Sequence, residues 1–233
     1  MVRGVEQVGC RPRRSFYPNT HFKQLTNPMR FTKVGLTGGI ATGKSSVAEL
    51  WHAQGAAVID SDALAHRALE PGTPTYAAVV QTFGGRILNA DGTVNRRALG
   101  EIVFADEQRR QALNNIVHPA VAQMWAQELA ALADTVEIAV VGIPLLFEVG
   151  VEKEFDCTVA VGCSEPTQLA RLRANGLDEA QARARIRAQM PVQQKMDRAD
   201  YAIWNDGSRA VLTRQAEKIW DKINSARNGI KES

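Results

Sequence analysis

Lys33-Val34-Gly35-Leu36-Thr37-Gly38-Gly39-Ile40-Ala41-Thr42-Gly43-Lys44-Ser45-Ser46 is the stretch that decides the fold. A short apolar run leads into G-x-x-x-x-G-K-S, and a helical pattern follows, which is a phosphate-binding loop in its expected strand-to-helix context. Glycines at 38, 39 and 43 let the backbone turn tightly and approach an anion closely. Successive N–H groups then point at phosphate oxygens, and the positive end of the following helix adds to their field. Lys44 supplies a mobile charge for the β- and γ-phosphates, and Ser45 offers a hydroxyl to Mg²⁺. A nucleoside triphosphate is the expected ligand. The loop does not say what receives the phosphoryl group.

Outward from the loop, strand and helix patterns alternate, which predicts an α/β fold with a parallel sheet flanked by helices. Strands are expected at 31–37, 56–60, 136–143, 155–162 and 201–204. Helices are expected at 43–54, 61–69, 74–83, 95–104, 106–134, 164–174, 178–189 and 191–198, with a last helix to about residue 224. The long helix should be interrupted or kinked at His118-Pro119. Asn89-Ala90-Asp91-Gly92 signals a tight, hairpin-like loop, and Asn95 a helix cap. The block from 73 to 134 adds no strand to the main sheet and reads as a helical insertion between strands two and three.

Ligands of open α/β sheets sit outside the carboxyl ends of the strands. The phosphate-binding loop, Asp60 and Asp62, the segment 144–148 and Asn205 all fall there. Asp62 is the candidate to accept or orient the proton of an attacking hydroxyl. Asp60, Ser61 or Asp62 could equally do no more than cap a helix. Arg171, Arg173, Arg183, Arg185 and Arg187 form a basic group that a lid could bring to a transferring phosphate. A solvated basic face is the alternative. His118 is either a substrate contact or a packed histidine beside Pro119. The four tryptophans, Trp51, Trp125, Trp204 and Trp220, read as packing residues.

The chain has 233 residues, enough for one large α/β domain with inserted subdomains. Its net charge of +3 is uneven: residues 1–28 carry Arg3, Arg11, Arg13, Arg14 and Lys23 against Glu6. From Met29 onward, 23 basic and 24 acidic residues give −1, which argues against nucleic acid as a partner of the body. Residues 1–28 lack the apolar centre of a secretory signal and show no periodicity, so they are expected to be disordered. Met29 is then a candidate natural start, and an organelle-targeting peptide is the alternative reading of this Arg-rich segment. Cys10, Cys157 and Cys163 show no metal spacing and suit a reducing compartment, the last two as small buried hydrophobes. No stretch is apolar enough to span a membrane.

Several segments together resemble the dephospho-CoA kinase family. They are T-G-G-I-A-T-G-K-S-S, V-I-D-S-D-A-L-A-H, E-P-G, N-x-D-G-x-x-N-R-R-A-L, H-P, P-L-L-F-E, Q-x-A-R-L and A-D-Y-A-I-x-N-D-G-S, in the family's order from about Phe31 to Ile223. The resemblance implies a P-loop, nucleotide-kinase-like core and transfer of the γ-phosphate of ATP to the ribose 3′-hydroxyl of dephospho-CoA, the last step of CoA biosynthesis. It implies ATP as co-substrate with Mg²⁺ and a cytoplasmic enzyme, monomer or weak homo-oligomer, with no nucleic-acid or membrane partner. On this basis the kinase domain covers 29–233, with core 29–62, 135–170 and 199–226. A CoA-binding insertion would occupy 63–134 and a small helical lid 171–198.

The resemblance also implies roles. Gly38, Gly39 and Ala41, Thr42, Gly43, Lys44, Ser45 and Ser46 would hold ATP, with Ser45 on the metal and Asn205 near the adenine. Lys44, Asp62 and Arg173 would be catalytic, and Asp62, His66, Arg67, Arg96 and His118 would meet the acceptor. Two departures stand out. The family commonly reads D-A-D where this chain has Asp60-Ser61-Asp62, and R-L-x-x-R-N-G-L where residues 171–177 are one residue shorter. Arg173 is expected to fill the place of the missing arginine. Two other readings remain: another small-molecule kinase, and a GTP switch, although D-x-x-G and N-K-x-D are both missing.

Overall fold

In the computed structural model, residues 31–132 and 136–231 are described. The expectations for residues 1–28, for Met29 and for Cys10 lie outside them. Among the described residues five strands form one parallel sheet: β1 (Thr32–Gly38), β2 (Ala57–Asp60), β3 (Ile138–Gly142), β4 (Cys157–Gly162) and β5 (Tyr201–Trp204). Their order is β2-β3-β1-β4-β5, so the strand carrying the loop is central. Leu36 and Asp60 both lie opposite Gly142, Gly38 opposite Val161, and Gly162 opposite Trp204. This register brings all five carboxyl ends to one edge.

Side chains alternate between two cores, as the two-residue period of a strand requires. Val34, Leu36, Ile138, Val140, Cys157, Val159 and Val161 enter one core with α1 (Lys44–Ala53). Trp51 of α1 is fully buried there and donates Nε1–H to the Ala216 carbonyl at 3.0 Å. On the opposite face, Ala139 and Val141 join Leu146, Phe155 and the insertion. Gly35 faces this side, where a Cβ would lie 3.0 Å from the Phe155 ring. Phe155 in turn packs on Trp125 with ring centroids 5.6 Å apart.

The insertion comprises α2 (Ser61–Ala68), α3 (Pro74–Phe83), α4 (Arg96–Ala105) and α5 (Glu107–Ala131). Thr73, Asn95 and Asp106 cap the last three through their side-chain oxygens. A single antiparallel bridge, Leu88 to Val94, closes the loop read at Asn89–Gly92. The 25-residue α5 runs through Pro119 without a break in the helix, so of the interruption or kink expected there the interruption does not occur. Buried Val117, Val121, Trp125 and Leu129 recur at helical spacing on either side of Pro119 and anchor both halves to one core. That packing outweighs the one hydrogen bond a proline removes.

After β4 come α6 (Glu165–Ala174), α7 (Glu179–Arg187), α8 (Val192–Arg198) and, after β5, α9 (Arg209–Lys231). Leu169, Leu172 and Ala182 make a small third core that also takes in Ile40 and Ala41 of the loop. α8, which falls in the span read as the lid, packs on β1, β4 and β5. α9 runs past residue 224 to Lys231, its face of Leu212, Ala216, Ile219 and Ile223 buried against the first core.

Candidate active site

The loop is shaped by its own residues and clamped by four distant ones, Gln168, Arg171, Gln189 and Asn205. Gly43 takes φ 98° as the residue before α1, and a Cβ there would lie 2.2 Å from Asn205 Nδ2. Ala41 also adopts positive φ, at 59°. Thr42 is fully buried and its hydroxyl donates to the Gly39 carbonyl at 2.9 Å. From α6, Gln168 Nε2 donates to the Ile40 carbonyl at 2.7 Å, and Arg171 Nη1 to the Ala41 carbonyl at 3.0 Å. Beyond α7, Gln189 Oε1 accepts from the Ile40 N–H at 2.8 Å. Lys44, Ser45 and Ser46 form the first turn of α1, whose N–H groups have no partner within the helix.

The three residues after β2 divide their work. Asp60 is the cap: its Oδ1 accepts from the Asp62 N–H at 2.9 Å. Ser61 is buried and donates to the Gly142 carbonyl at 2.6 Å, tying β2 to β3. Asp62 is thereby free of capping, and its Oδ2 stands 3.7 Å from Lys44 Nζ. Surrounding protein raises the Asp62 pKa; Lys44 pulls it down and Asp60 pushes it up.

Lys44, Asp60 and Asp62 open onto a cleft of about 2310 Å³ between the sheet edge and the insertion. Arg67 lines it, paired with Glu128 at 2.6 Å, as does His118. Burial lowers the His118 pKa and the Glu148 carboxylate raises it. His66 is exposed and close enough to Asp62 to lower its pKa, without lining the cleft itself. Arg96 is exposed at the start of α4 and does not line the cleft, so the structure does not bring it to the site. A second, smaller cleft of about 470 Å³ lies on the other side of the loop, lined by Gly43, Ser46, Arg171, Asn205 and Gly207. Asn205 borders this cleft, and its side-chain amide is engaged: Nδ2 donates to the Thr42 carbonyl at 2.8 Å.

The arginines are sorted differently from the expectation. Arg173 is exposed, ion-paired with Glu179, and lines neither cleft. Arg171, two residues earlier, turns toward the loop and also donates to the Asn205 backbone carbonyl at 2.9 Å. Two residues rotate a helix by about 200°, which places the two on opposite sides of α6. Arg183 bonds Glu165 and Glu179, and Arg185 lies over the Phe104 ring at 5.1 Å. Gln189 and Lys195 lie outside every quoted motif, and Gln168 enters only as the first residue of Q-x-A-R-L, with no role attached. Lys195 is fully buried on α8 and contacts Glu148 at 2.7 Å and the Pro144 carbonyl at 2.5 Å. A lone lysine in V-Q-Q-K-M-D-R reads as solvated; only its glutamate partner on a distant loop explains it.

A phosphate-binding loop at the centre of a parallel sheet, with a lysine–aspartate pair opening onto a large cleft, defines a small-molecule kinase of the P-loop class. A sequence model of the family described as Dephospho-CoA kinase matches residues 32–210. The Dephospho-CoA kinase of Anaeromyxobacter dehalogenans is 45% identical over 196 residues, 83% of this chain and 93% of its own. That of Thermobifida fusca is 45% identical over 192 residues, 82% and 96% of the two chains. Among solved structures, TT1252 from Thermus thermophilus gives a TM-score of 0.70 at 35% identity, covering 82% of this chain and 96% of its own. Dephospho-CoA kinase from Campylobacter jejuni gives 0.60 at 26%, with the same coverage. The chain belongs to the dephospho-CoA kinase family. The reaction of that family is ATP-dependent phosphorylation of dephospho-CoA, the last step of CoA biosynthesis. Among the described residues no helix is long and apolar enough to cross a membrane.

Proposed function

We infer that this chain transfers the γ-phosphate of ATP to the ribose 3′-hydroxyl of dephospho-CoA, with Asp62 as the carboxylate that accepts or orients the hydroxyl proton. The observation that carries this assignment is the 3.7 Å approach of Asp62 Oδ2 to Lys44 Nζ, after Asp60 has taken over the capping. Lys44 belongs to the phosphate side and Asp62 to the acceptor side, so their proximity supports a common transfer point. The residues from Gly38 to Ser46 cradle the phosphates through backbone N–H groups. The smaller cleft beside Asn205 suits the nucleoside end of ATP, with Asn205 bracing the loop from behind.

Mg²⁺ fits the donors present. Ser45 is exposed on the first turn of α1 and borders both clefts, and Asp60 and Asp62 add oxygens nearby. Hard oxygen donors with few protein ligands suit Mg²⁺, which keeps waters and binds substrate phosphates. When bound, it would neutralise charge on the transferring phosphate. The insertion, 63–134, is the acceptor-binding region, with Arg67 and His118 on the cleft wall and His66 beside Asp62. α6 and α7 are the lid; its arginine nearest the loop is Arg171, in place of Arg173. Free, buried Cys157 and Cys163 fit the cytoplasm. The test is an ATP-dependent assay with dephospho-CoA and mass detection of the product. Faster turnover of thymidine, AMP or UMP would overturn the acceptor assignment.

A further inference from the structure

The Glu148 carboxylate has no part in the transfer outlined above, yet it is placed with care. It sits on the loop after β3, its side chain 21% exposed, on the wall of the acceptor cleft. Its Oε1 is already doubly engaged, by Lys195 Nζ at 2.7 Å and by the Met190 N–H at 2.9 Å. Both of these bonds fall on Oε1, which leaves Oε2 as the oxygen to meet a ligand in the cleft. Lys195 is fully buried and also holds the Pro144 carbonyl, which accepts from Thr37 Oγ1 at 3.2 Å as well. Thr37 precedes the first loop glycine, and Lys195 lies close enough to Lys44 to feel its charge. The pair therefore belongs to the phosphoryl-transfer end of the cleft, where the Glu148 charge is also felt by His118 of α5.

An ionised carboxylate only accepts hydrogen bonds. The ligand group opposite Oε2 must be a donor, which rules out the phosphate oxygens. Lys195 cancels the charge of Glu148, so an anionic acceptor is not repelled. Among the donors of a nucleotide-like acceptor, those nearest the transferring phosphate are the hydroxyls of its sugar. We propose that Glu148, fixed by Lys195, accepts a hydrogen bond from the ribose hydroxyl next to the one phosphorylated, and so makes the enzyme select ribose over 2′-deoxyribose acceptors. Glu148 is then a specificity-determining residue and Lys195 its positioning residue. This rests on dephospho-CoA being the acceptor.

The test compares kcat/KM for dephospho-CoA and for its 2′-deoxyribose analogue in the wild type and in Glu148→Ala, Glu148→Gln, Lys195→Met and Lys195→Arg. Hydrogen bonds to charged groups predict a wild-type preference for ribose of about 10- to 100-fold. Glu148→Ala should bring the ratio close to one by losing rate on the ribose acceptor alone, with KM for ATP unchanged. Glu148→Gln, which keeps the shape, should lower the ratio several-fold and serves where Glu148→Ala does not fold. Lys195→Met should lower the ratio and Lys195→Arg restore it. Equal losses on both acceptors in a folded Glu148→Gln variant, or a wild type indifferent to the 2′-hydroxyl, would overturn the proposal. A wild type that phosphorylates neither acceptor would instead overturn the acceptor assignment on which it stands.

Discussion

Arg171 donates through Nη1 to the Ala41 carbonyl at 3.0 Å, so α6 holds the phosphate-binding loop directly. The same guanidinium reaches the Asn205 carbonyl and borders the smaller cleft. Arg171→Ala should lower kcat/KM for ATP by about 10-fold or more, the loss expected when hydrogen bonds from a charged group are removed. Arg173→Ala removes only an exposed ion pair with Glu179 and should change it by less than about 2-fold. Steady-state kinetics on both variants decide the matter, and the reverse order would restore Arg173 to the lid role.

Gly43→Ala should damage the loop more than a loop glycine usually would. An L-residue at φ 98° is strained, and its Cβ would meet Asn205 Nδ2 at 2.2 Å, so the bond to the Thr42 carbonyl must break. Melting temperature should fall and the upward shift on adding ATP should vanish. A variant that still shifts with ATP would show that the brace is dispensable.

Asp62→Asn should lower kcat by about 10²- to 10⁴-fold, the usual contribution of a positioned base, while ATP still binds. The active form of Asp62 is the carboxylate, and the fold raises its pKa. Activity should therefore fall as pH drops through a value above the ordinary aspartate range, and Asp62→Asn should lack that limb. A raised folded pKa means that the ionised group costs the fold stability at neutral pH, an effect that solvent keeps small because the Asp62 side chain is 60% exposed. Asp62→Asn should melt at the same temperature or higher. A lower melting temperature would mean that the Lys44 attraction outweighs burial.

Cys157 and Cys163 should resist iodoacetamide in the folded protein. Both are buried, and burial pushes the Cys163 thiol up to about 11, with Arg171 lowering it and Asp206 raising it. The thiolate is the reactive species, and little of it forms at pH 8. Peptide mapping should find both sites labelled only after denaturation; labelling of Cys163 in the native state would contradict its burial.

The sheet and the loop were legible because each is a local pattern. Continuous apolar runs marked all five strands, and G-x-x-x-x-G-K-S marked the loop. Asp62 was legible as a candidate, but its separation from Asp60 and Ser61 was not, since all three suit a helix start. Only the bonds from Asp62 N–H to Asp60 and from Ser61 to Gly142 assign them. Arg171 and Arg173 differ only by rotation about α6, which depends on how that helix packs on Ile40 and Ala41. Lys195 and Glu148 are far apart in sequence, and their pairing comes from the sheet bringing α8 beside the loop after β3. At Pro119 a strong local signal for a helix break yields to packing along α5.

The order of strands in the sheet also governs how the molecule comes into being. Thr32 of β1 pairs with Ile138, and Val34 with Cys157, so both neighbours of the central strand are made long after it. During synthesis β1 and its glycine loop must wait, unpaired, while the whole insertion emerges. Non-local parallel pairing of this kind closes slowly and leaves apolar strands exposed to aggregation. The clamp on the loop comes later still, because Gln168, Arg171, Gln189 and Asn205 follow β4. A growing chain would thus acquire its grip on ATP only once Asn205 has emerged, so a fragment released before that point would lack the braced loop.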